Sequence, residues 1–241
     1  MKTLCNTASD RQEKKGENYV TQKENALIDA AVRMICDLFK NDFSGHDHFH
    51  TLRVYKTAVA LAEQEQADML TVSLAALLHD ADDRKLSPET YAEKTRAVTF
   101  LRSQGVPEAQ IRAIVRIIGE VSFVGTDSVA PSTIEGCCVQ DADRLDALGA
   151  VGIARTFAYG GSHHRPLYDP DEQPLLGMDE AAYRSHTSCS VNHFYEKLFL
   201  LKDMMNTAAG KALAIKREAY MRAFLDEFML EWDGQDLGSA L

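Results

Sequence analysis

The stretch LAALLHD, residues 74–80, decides how the rest of the chain is interpreted. It is an apolar helical run that ends on a histidine and an aspartate side by side. Apolar runs of this kind are usually buried, and a buried histidine or carboxylate needs a partner. Neutral imidazole and carboxylate are standard ligands of divalent first-row metals. The stretch therefore predicts a buried helix whose end carries part of a metal site.

The composition bounds the class of protein. The 241 residues are 45% hydrophobic and 26% charged, which is ordinary for a globular chain. The formal net charge of −10 disfavours binding of a nucleic-acid polymer, because no broad cationic surface is available. Five cysteines, an odd number without a CxxC pair, indicate reduced thiols and neither a disulfide framework nor a zinc ribbon. No signal peptide or membrane span is predicted, so we expect a cytoplasmic protein without a membrane partner.

Helical periodicity runs along most of the chain, and no alternating strand pattern is found. We therefore predict an all-α fold in a single domain over residues 21–241, after a flexible N-terminal extension at residues 1–20. An irregular stretch at 160–179 interrupts the helices, and loops of this length tend to be functional. The main predicted helices cover, approximately, residues 21–41, 47–66, 70–80, 87–105, 107–118, 134–148, 181–205 and 207–232.

Two further segments carry candidate ligands for a metal at the histidine–aspartate doublet. GHDHFHTLR, residues 45–53, is dense in histidine at the start of a helix. DADRLD, residues 141–146, places three acids on a mostly apolar helix. One ligand from each segment would complete the site, and spacing alone does not choose among the three acids. His46 could serve a second metal or contact substrate, but exposure in the loop is the favoured interpretation.

The pattern H…HD…D in an all-helical chain resembles the HD-domain superfamily of metal-dependent phosphohydrolases. His50 fits the first position because Leu52-Arg53-Val54 completes the form H-x-x-R-V, and Asp143 fits the last because it lies in Ala-Asp-Arg. The flanking sequences are similar to the YpgQ/YedJ-like branch of that superfamily over about residues 25–232. The segments that carry this similarity are residues 45–47, 75–80, 140–146, 159–166 and 192–198.

The resemblance implies an HD-domain helical bundle that binds a divalent metal ion. Its ligands are expected to be His50, His79, Asp80 and Asp143. Mn²⁺ is expected first, with Mg²⁺, Co²⁺, Zn²⁺ or Fe²⁺ as alternatives. The implied reaction is hydrolysis of nucleoside triphosphates to monophosphate and pyrophosphate, which makes a nucleotide the expected substrate. The long C-terminal helices and the same resemblance suggest a homodimer.

The residues beside the ligands suggest the remaining roles. Asp80 and Asp83 are the predicted catalytic acids, since Asp83 lies about one turn past Asp80 and can handle a proton. Phosphate groups need cationic donors. The alternative interpretations are surface ion pairs for Arg53 and Arg144, a solvated charged turn at residues 83–85, and loop histidines that face solvent. The predicted substrate-binding residues are Arg53, Arg84, Lys85, Arg144, His163, His164 and Arg165.

Other functions fit parts of the pattern. His46-Asp47-x-x-His50 superficially copies the H-E-x-x-H motif of zinc peptidases. Gly45 indicates that the helix begins at His46, and aspartate is shorter than the glutamate that this chemistry uses, so the peptidase is disfavoured. A nucleoside monophosphatase or cyclic-nucleotide phosphodiesterase would use the same metal ligands. A non-enzymatic nucleotide sensor would be expected to lack a ligand, and all four are present.

Overall fold

The computed structural model describes residues 21–40, 47–83 and 87–235, and the predicted N-terminal extension lies outside these ranges. The described residues contain helices and no strand, which confirms the all-α class. None of the described helices is both long enough and apolar enough to span a membrane. The α-helices are α1 (Gln22–Leu38), α2 (His48–Glu65), α3 (Met69–Leu78), α4 (Pro88–Tyr91), α5 (Thr95–Ser103), α6 (Glu108–Val121), α7 (Ile134–Asp146), α8 (Gly149–Ser162), α9 (Glu180–Ser185), α10 (Phe199–Leu201) and α11 (Ala208–Trp232).

Helix α3 lies at the centre of the fold, surrounded by α1, α2, α6 and α7. Every residue in it except Thr71 is buried, as expected for a helix that is apolar on all sides. The carboxylate of Asp68 caps its first turn by accepting the backbone N–H of Thr71 at 2.7 Å. The prediction that residues 74–80 end a buried helix is confirmed. His79 and Asp80 follow its last turn and are themselves buried.

Asp141 fastens helix α7 to the start of α11. Its buried carboxylate accepts the backbone N–H groups of Asn206 and Thr207 at 2.9 and 2.8 Å, and also both side chains at 2.8 Å. A side chain at Gly210 would overlap this carboxylate, so glycine is required where α11 approaches α7. Asp141 therefore holds two helices together. It is one of the three acids that spacing alone could not separate.

The prediction of one continuous helix over residues 181–205 is wrong. The structure has α9, an irregular segment, a π-helical turn at Phe194–Leu198, α10 and a 3-10 turn at Lys202–Met204. In the irregular segment, the backbone N–H groups of Ser190 and Val191 donate to the carbonyls of Pro166 and Leu167 at 3.0 Å. These backbone hydrogen bonds to a distant loop replace the hydrogen bonds that a helix would make within the segment. The hydrophobic periodicity of one segment cannot reveal them.

The helix predicted over residues 87–105 is divided into α4 and α5. The break lies at Lys94, whose φ of 48° is in the left-handed region. The cap of α5 comes from a distant residue, because the buried carboxylate of Asp82 accepts the N–H groups of Arg96 and Ala97 at 3.0 and 2.9 Å. Asp82 thus satisfies two donors that a helix start leaves open.

We expect Asp82→Ala to lower the free energy of unfolding by about 1–2 kcal/mol, the usual cost of losing a helix cap. Urea unfolding of the metal-free protein measures this loss. Asp203→Ala is the matched control, because it removes an exposed carboxylate that pairs with Lys211 at 2.7 Å on the surface. Equal stability of both variants, or a large loss of metal affinity in Asp82→Ala, would contradict a purely capping role.

Candidate metal centre

His50 enters the centre from the first turn of α2. The carboxylate of Asp47 caps that turn by accepting the backbone N–H of His50 at 2.8 Å, which fixes where the ring begins. The ring's Nδ1 lies 2.8 Å from the carboxylate of Asp146. Its Nε2 points the other way and lies 3.3 Å from Oδ2 of Asp80 and 3.4 Å from Oδ1 of Asp143.

His79 approaches the same point from the end of α3. Its Nδ1 lies 2.8 Å from the carbonyl of Ala76, which can only accept a proton, so Nδ1 carries the hydrogen. Its Nε2 lies 3.3 Å from Oδ2 of Asp80 and 3.8 Å from Oδ1 of Asp143. This Nε2 is buried and forms no hydrogen bond with any described residue. A buried nitrogen lone pair that no hydrogen-bond donor occupies is well suited to bind a metal ion.

The donor set fits a divalent metal ion. Ligand atoms of His50, His79 and Asp80 all lie within 4.8 Å of one another, and Asp143 adds a second carboxylate at the distances given above. Each histidine directs Nδ1 to an oxygen acceptor and Nε2 inwards, which is the arrangement that orients metal-bound imidazoles. Two imidazole nitrogens and carboxylate oxygens suit several divalent first-row metals.

The electrostatics of the centre favour positive charge between the two imidazoles. Burial lowers the pKa of His50, but the carboxylates of Asp143, Asp146 and Asp80 outweigh it and raise that pKa to about 10. Burial likewise opposes protonation of His79, and the neighbouring Asp80 raises its pKa above the ordinary value. A metal cation would take the place of these protons in the same field.

The sequence of this chain is similar to those of known proteins. The HD domain family matches residues 48–148, which contain all four candidate ligands. YpgQ of Bacillus subtilis is 37% identical over 201 residues, covering 83% of this chain and 90% of that protein. This chain belongs to the HD-domain superfamily, in the branch that contains YpgQ. Its members include hydrolases that depend on a divalent metal, and this HD-domain protein has the buried donors for one.

Solved HD-domain structures share the fold over most of their length. An HD-superfamily hydrolase from Bacillus thuringiensis is 41% identical with a TM-score of 0.69, covering 87% of this chain and 98% of that one. YpgQ of B. subtilis, solved in complex with ADP, is 32% identical with a TM-score of 0.71, covering 87% and 97%. The HD-domain bundle predicted from the sequence is therefore confirmed.

The structure of this HD-domain protein brings together the four predicted ligands and places Arg53 beside them. Nε and one terminal nitrogen of Arg53 donate to Asp146 at 2.7 and 3.0 Å. Asp83 is half-buried just past Asp80, and its backbone N–H donates to the Asp80 carbonyl at 3.1 Å. The roles of these residues stay predictions. Three other candidates, His46, Arg84 and Lys85, lie outside the described residues.

The structure places Arg144 in the interior, whereas the sequence predicted that it contacts substrate. Its side chain is buried, and its guanidinium donates to the backbone carbonyl of Met204. Burial lowers its pKa, as expected for a cation taken out of water. Although Arg144 adjoins Asp143 in sequence, its side chain connects α7 to the segment before α11. We therefore assign it a structural role.

The loop candidates lie at the exposed end of α8. His163 stacks on Tyr159 with ring centroids 3.8 Å apart, and the guanidinium of Arg165 lies 5.4 Å from the Tyr159 centroid. His164 has a φ of 57°, in the left-handed region, and is exposed. The structure thus gathers aromatic and cationic groups on this surface, and their contact with substrate stays a prediction.

Sequence reasoning missed two cations of this HD domain. Arg155, on α8, donates to Asp146 at 2.7 Å, and no motif around it signalled this. Lys94 is half-buried, and burial lowers its pKa while Asp82, Asp83 and Asp80 act in the opposite direction. Both become visible only when the fold is known, because each comes from a part of the chain without predicted metal ligands.

Proposed function

We propose that this protein is a metal-dependent nucleotide pyrophosphohydrolase, which cleaves nucleoside triphosphates to monophosphate and pyrophosphate. The observation that carries the proposal is the convergence of two imidazole Nε2 atoms and two carboxylates, with two arginines held on Asp146 behind His50. The ADP complex of the related YpgQ supports a nucleotide as substrate. The presence of every ligand in the H…HD…D pattern supports an enzyme over a sensor.

We assign the metal to His50, His79, Asp80 and Asp143, and Mn²⁺ is the ion proposed. When bound, a divalent ion lowers the pKa of water and neutralises charge on phosphate. The chain's contribution is orientation. Asp146 and the Ala76 carbonyl hold the two imidazoles with Nε2 facing inwards. Burial of His50, His79 and Asp80 strengthens the interactions of the charges at the centre.

The proposed reaction needs a proton acceptor. Water adds to the α-phosphorus, the bond from that phosphorus to the α–β bridging oxygen breaks, and pyrophosphate leaves with that oxygen. We assign the proton of the attacking water to the carboxylate of Asp83, which is half-buried and adjoins the ligand turn. Asp82 is unsuited to this role because both its oxygens cap α5.

The nucleoside end of the substrate is assigned to the outer end of α8. Aromatic and guanidinium faces stack on nucleobases, and Tyr159, His163 and Arg165 present such groups together. His164 lies in the same exposed turn and is included as a polar contact. Arg53 is assigned to the phosphates, because Asp146 holds its guanidinium near the ligand His50 and its side chain is partly exposed.

A hydrolysis screen tests the proposal. The metal-stripped protein is refilled with Mn²⁺, Mg²⁺, Co²⁺ or Zn²⁺ and given nucleoside triphosphates, monophosphates and cyclic nucleotides, with pyrophosphate and orthophosphate assayed separately. We expect pyrophosphate from triphosphates with Mn²⁺, lost in Asp80→Ala and kept in the surface control Asp203→Ala.

Two results would overturn this assignment. Orthophosphate from monophosphates, or opening of cyclic nucleotides without pyrophosphate release, would move the protein to the nucleotidase or phosphodiesterase activity. Metal binding without hydrolysis of any of these substrates would favour a nucleotide sensor.

A further inference from the structure

The carboxylate of Asp146 joins three elements next to the metal centre. Its Oδ2 lies 2.8 Å from Nδ1 of His50 and accepts hydrogen bonds from Arg53 at 3.0 Å and Arg155 at 2.7 Å. Its Oδ1 accepts Nε of Arg53 at 2.7 Å. The side chain of Asp146 is only 6% exposed. One carboxylate thus sets the position of a candidate ligand on α2, an arginine on α2 and an arginine on α8.

The two arginines keep donors for another partner. Arg53 uses Nε and one terminal nitrogen, and Arg155 uses one terminal nitrogen, in their hydrogen bonds with described residues. A guanidinium carries five N–H donors, so each side chain has donors left over. The side chains of Arg53 and Arg155 are 36% and 21% exposed, so part of each side chain is accessible from solvent.

Two guanidiniums share one carboxylate. Asp146 accepts hydrogen bonds from both Arg53 and Arg155, an arrangement that an ionised carboxylate makes. Asp146 is therefore ionised and balances one arginine. Because two guanidiniums share this one carboxylate, a substrate anion can pair with the charge that remains.

We propose that Arg155 binds the phosphate chain of the substrate together with Arg53, and that Asp146 positions both arginines relative to the metal ligand His50. This inference rests on the proposed function and deepens it. Two guanidiniums held on the carboxylate that supports His50 suit a substrate that extends from the metal through several linked phosphates better than a singly charged phosphodiester. Arg155 is thus a residue that selects polyphosphate substrates, and Asp146 is a positioning residue.

The test compares Arg155→Ala with Arg155→Lys on two substrates. The substrates are a nucleoside triphosphate and the singly charged bis(p-nitrophenyl) phosphate. We expect Arg155→Ala to reduce kcat/KM for the triphosphate by about 10- to 100-fold, mainly through KM, because it removes charge-assisted hydrogen bonds. The phosphodiester should change by less than about threefold, and Arg155→Lys should recover part of the loss because it keeps the charge.

A second readout does not depend on turnover. Inorganic tripolyphosphate is added to the metal-loaded protein, and the shift in Tm is recorded. We expect the shift to be largely lost in Arg155→Ala and kept in Arg102→Ala, which removes an exposed arginine paired with Glu108. Metal affinity in Arg155→Ala should stay within about threefold of the original, whereas Asp146→Asn should weaken metal binding by about 10- to 100-fold.

The outcomes separate this inference from the proposed reaction. Equal losses on both substrates, or an unchanged tripolyphosphate shift in Arg155→Ala, would overturn the role of Arg155. If the original protein fails to hydrolyse triphosphates but shows the Arg155-dependent shift, the proposed reaction fails and the polyphosphate site stands. Unchanged metal affinity in Asp146→Asn would overturn the positioning role of Asp146.

Discussion

His79→Ala is expected to abolish both metal binding and hydrolysis. The substitution removes the buried Nε2 that has no hydrogen-bond partner among the described residues. Loss of an outer partner of a metal ligand costs about 10- to 100-fold in affinity, so loss of the ligand itself should exceed about 100-fold. Metal titration followed by Tm measures this, because an ion that binds only the folded state raises Tm. The original protein should gain stability with Mn²⁺, and the variant should not.

His186→Ala is the matched control for that experiment. This histidine pairs with Glu196 at 2.9 Å and has no contact with the four candidate ligands among the described residues. It should keep the metal-dependent rise in Tm and the hydrolytic activity. A full metal-dependent rise in His79→Ala, with the metal-free protein folded by circular dichroism, would contradict the assigned centre.

Asp141→Ala is expected to destabilise the fold by about 3–5 kcal/mol. It leaves the buried N–H of Thr207 and neighbouring donors of Asn206 without their acceptor, and each such donor costs about 1–3 kcal/mol. Asp141→Asn should lose less, because its amide oxygen can still accept. Denaturant unfolding of the metal-free proteins gives the difference.

Asp143→Ala separates structure from metal binding on the same helix. Its carboxylate faces the two imidazoles, and its side chain is 27% exposed. We expect a smaller loss of metal-free stability than in Asp141→Ala, together with loss of the metal-dependent rise in Tm. The opposite pattern in these two variants would show that the assignment of the two acids is reversed.

The parts of the fold that follow from local periodicity could be predicted. Helix α3 is apolar on all sides, and that pattern gave both its burial and the place where it ends. The division of residues 181–205 could not be predicted, because it depends on backbone bonds to Pro166 and Leu167. The cap of α5 by Asp82 escaped prediction for the same reason.

The candidate site shows the same limit. Spacing placed three acids on one helix, and the resemblance to the HD domain selected Asp143 among them. Only three-dimensional packing shows that Asp141 holds α11 and that Asp146 supports His50. Arg155 reaches Asp146 from another helix, so a motif within one segment could not reveal it. Residue type and spacing therefore indicate candidate ligands, while their supporting partners depend on how helices meet.

The burial of α3 on all sides affects which positions of the sequence can change during evolution. Neighbours on every side hold this helix, so few substitutions in it are tolerated without repacking. The outer end of α8 and the loop after it are largely exposed, and changes there disturb little of the interior. Substrate preference can then drift through surface substitutions on α8 while the chemistry is inherited unchanged. A family built in this way is expected to vary in the substrates it accepts more than in its metal ligands.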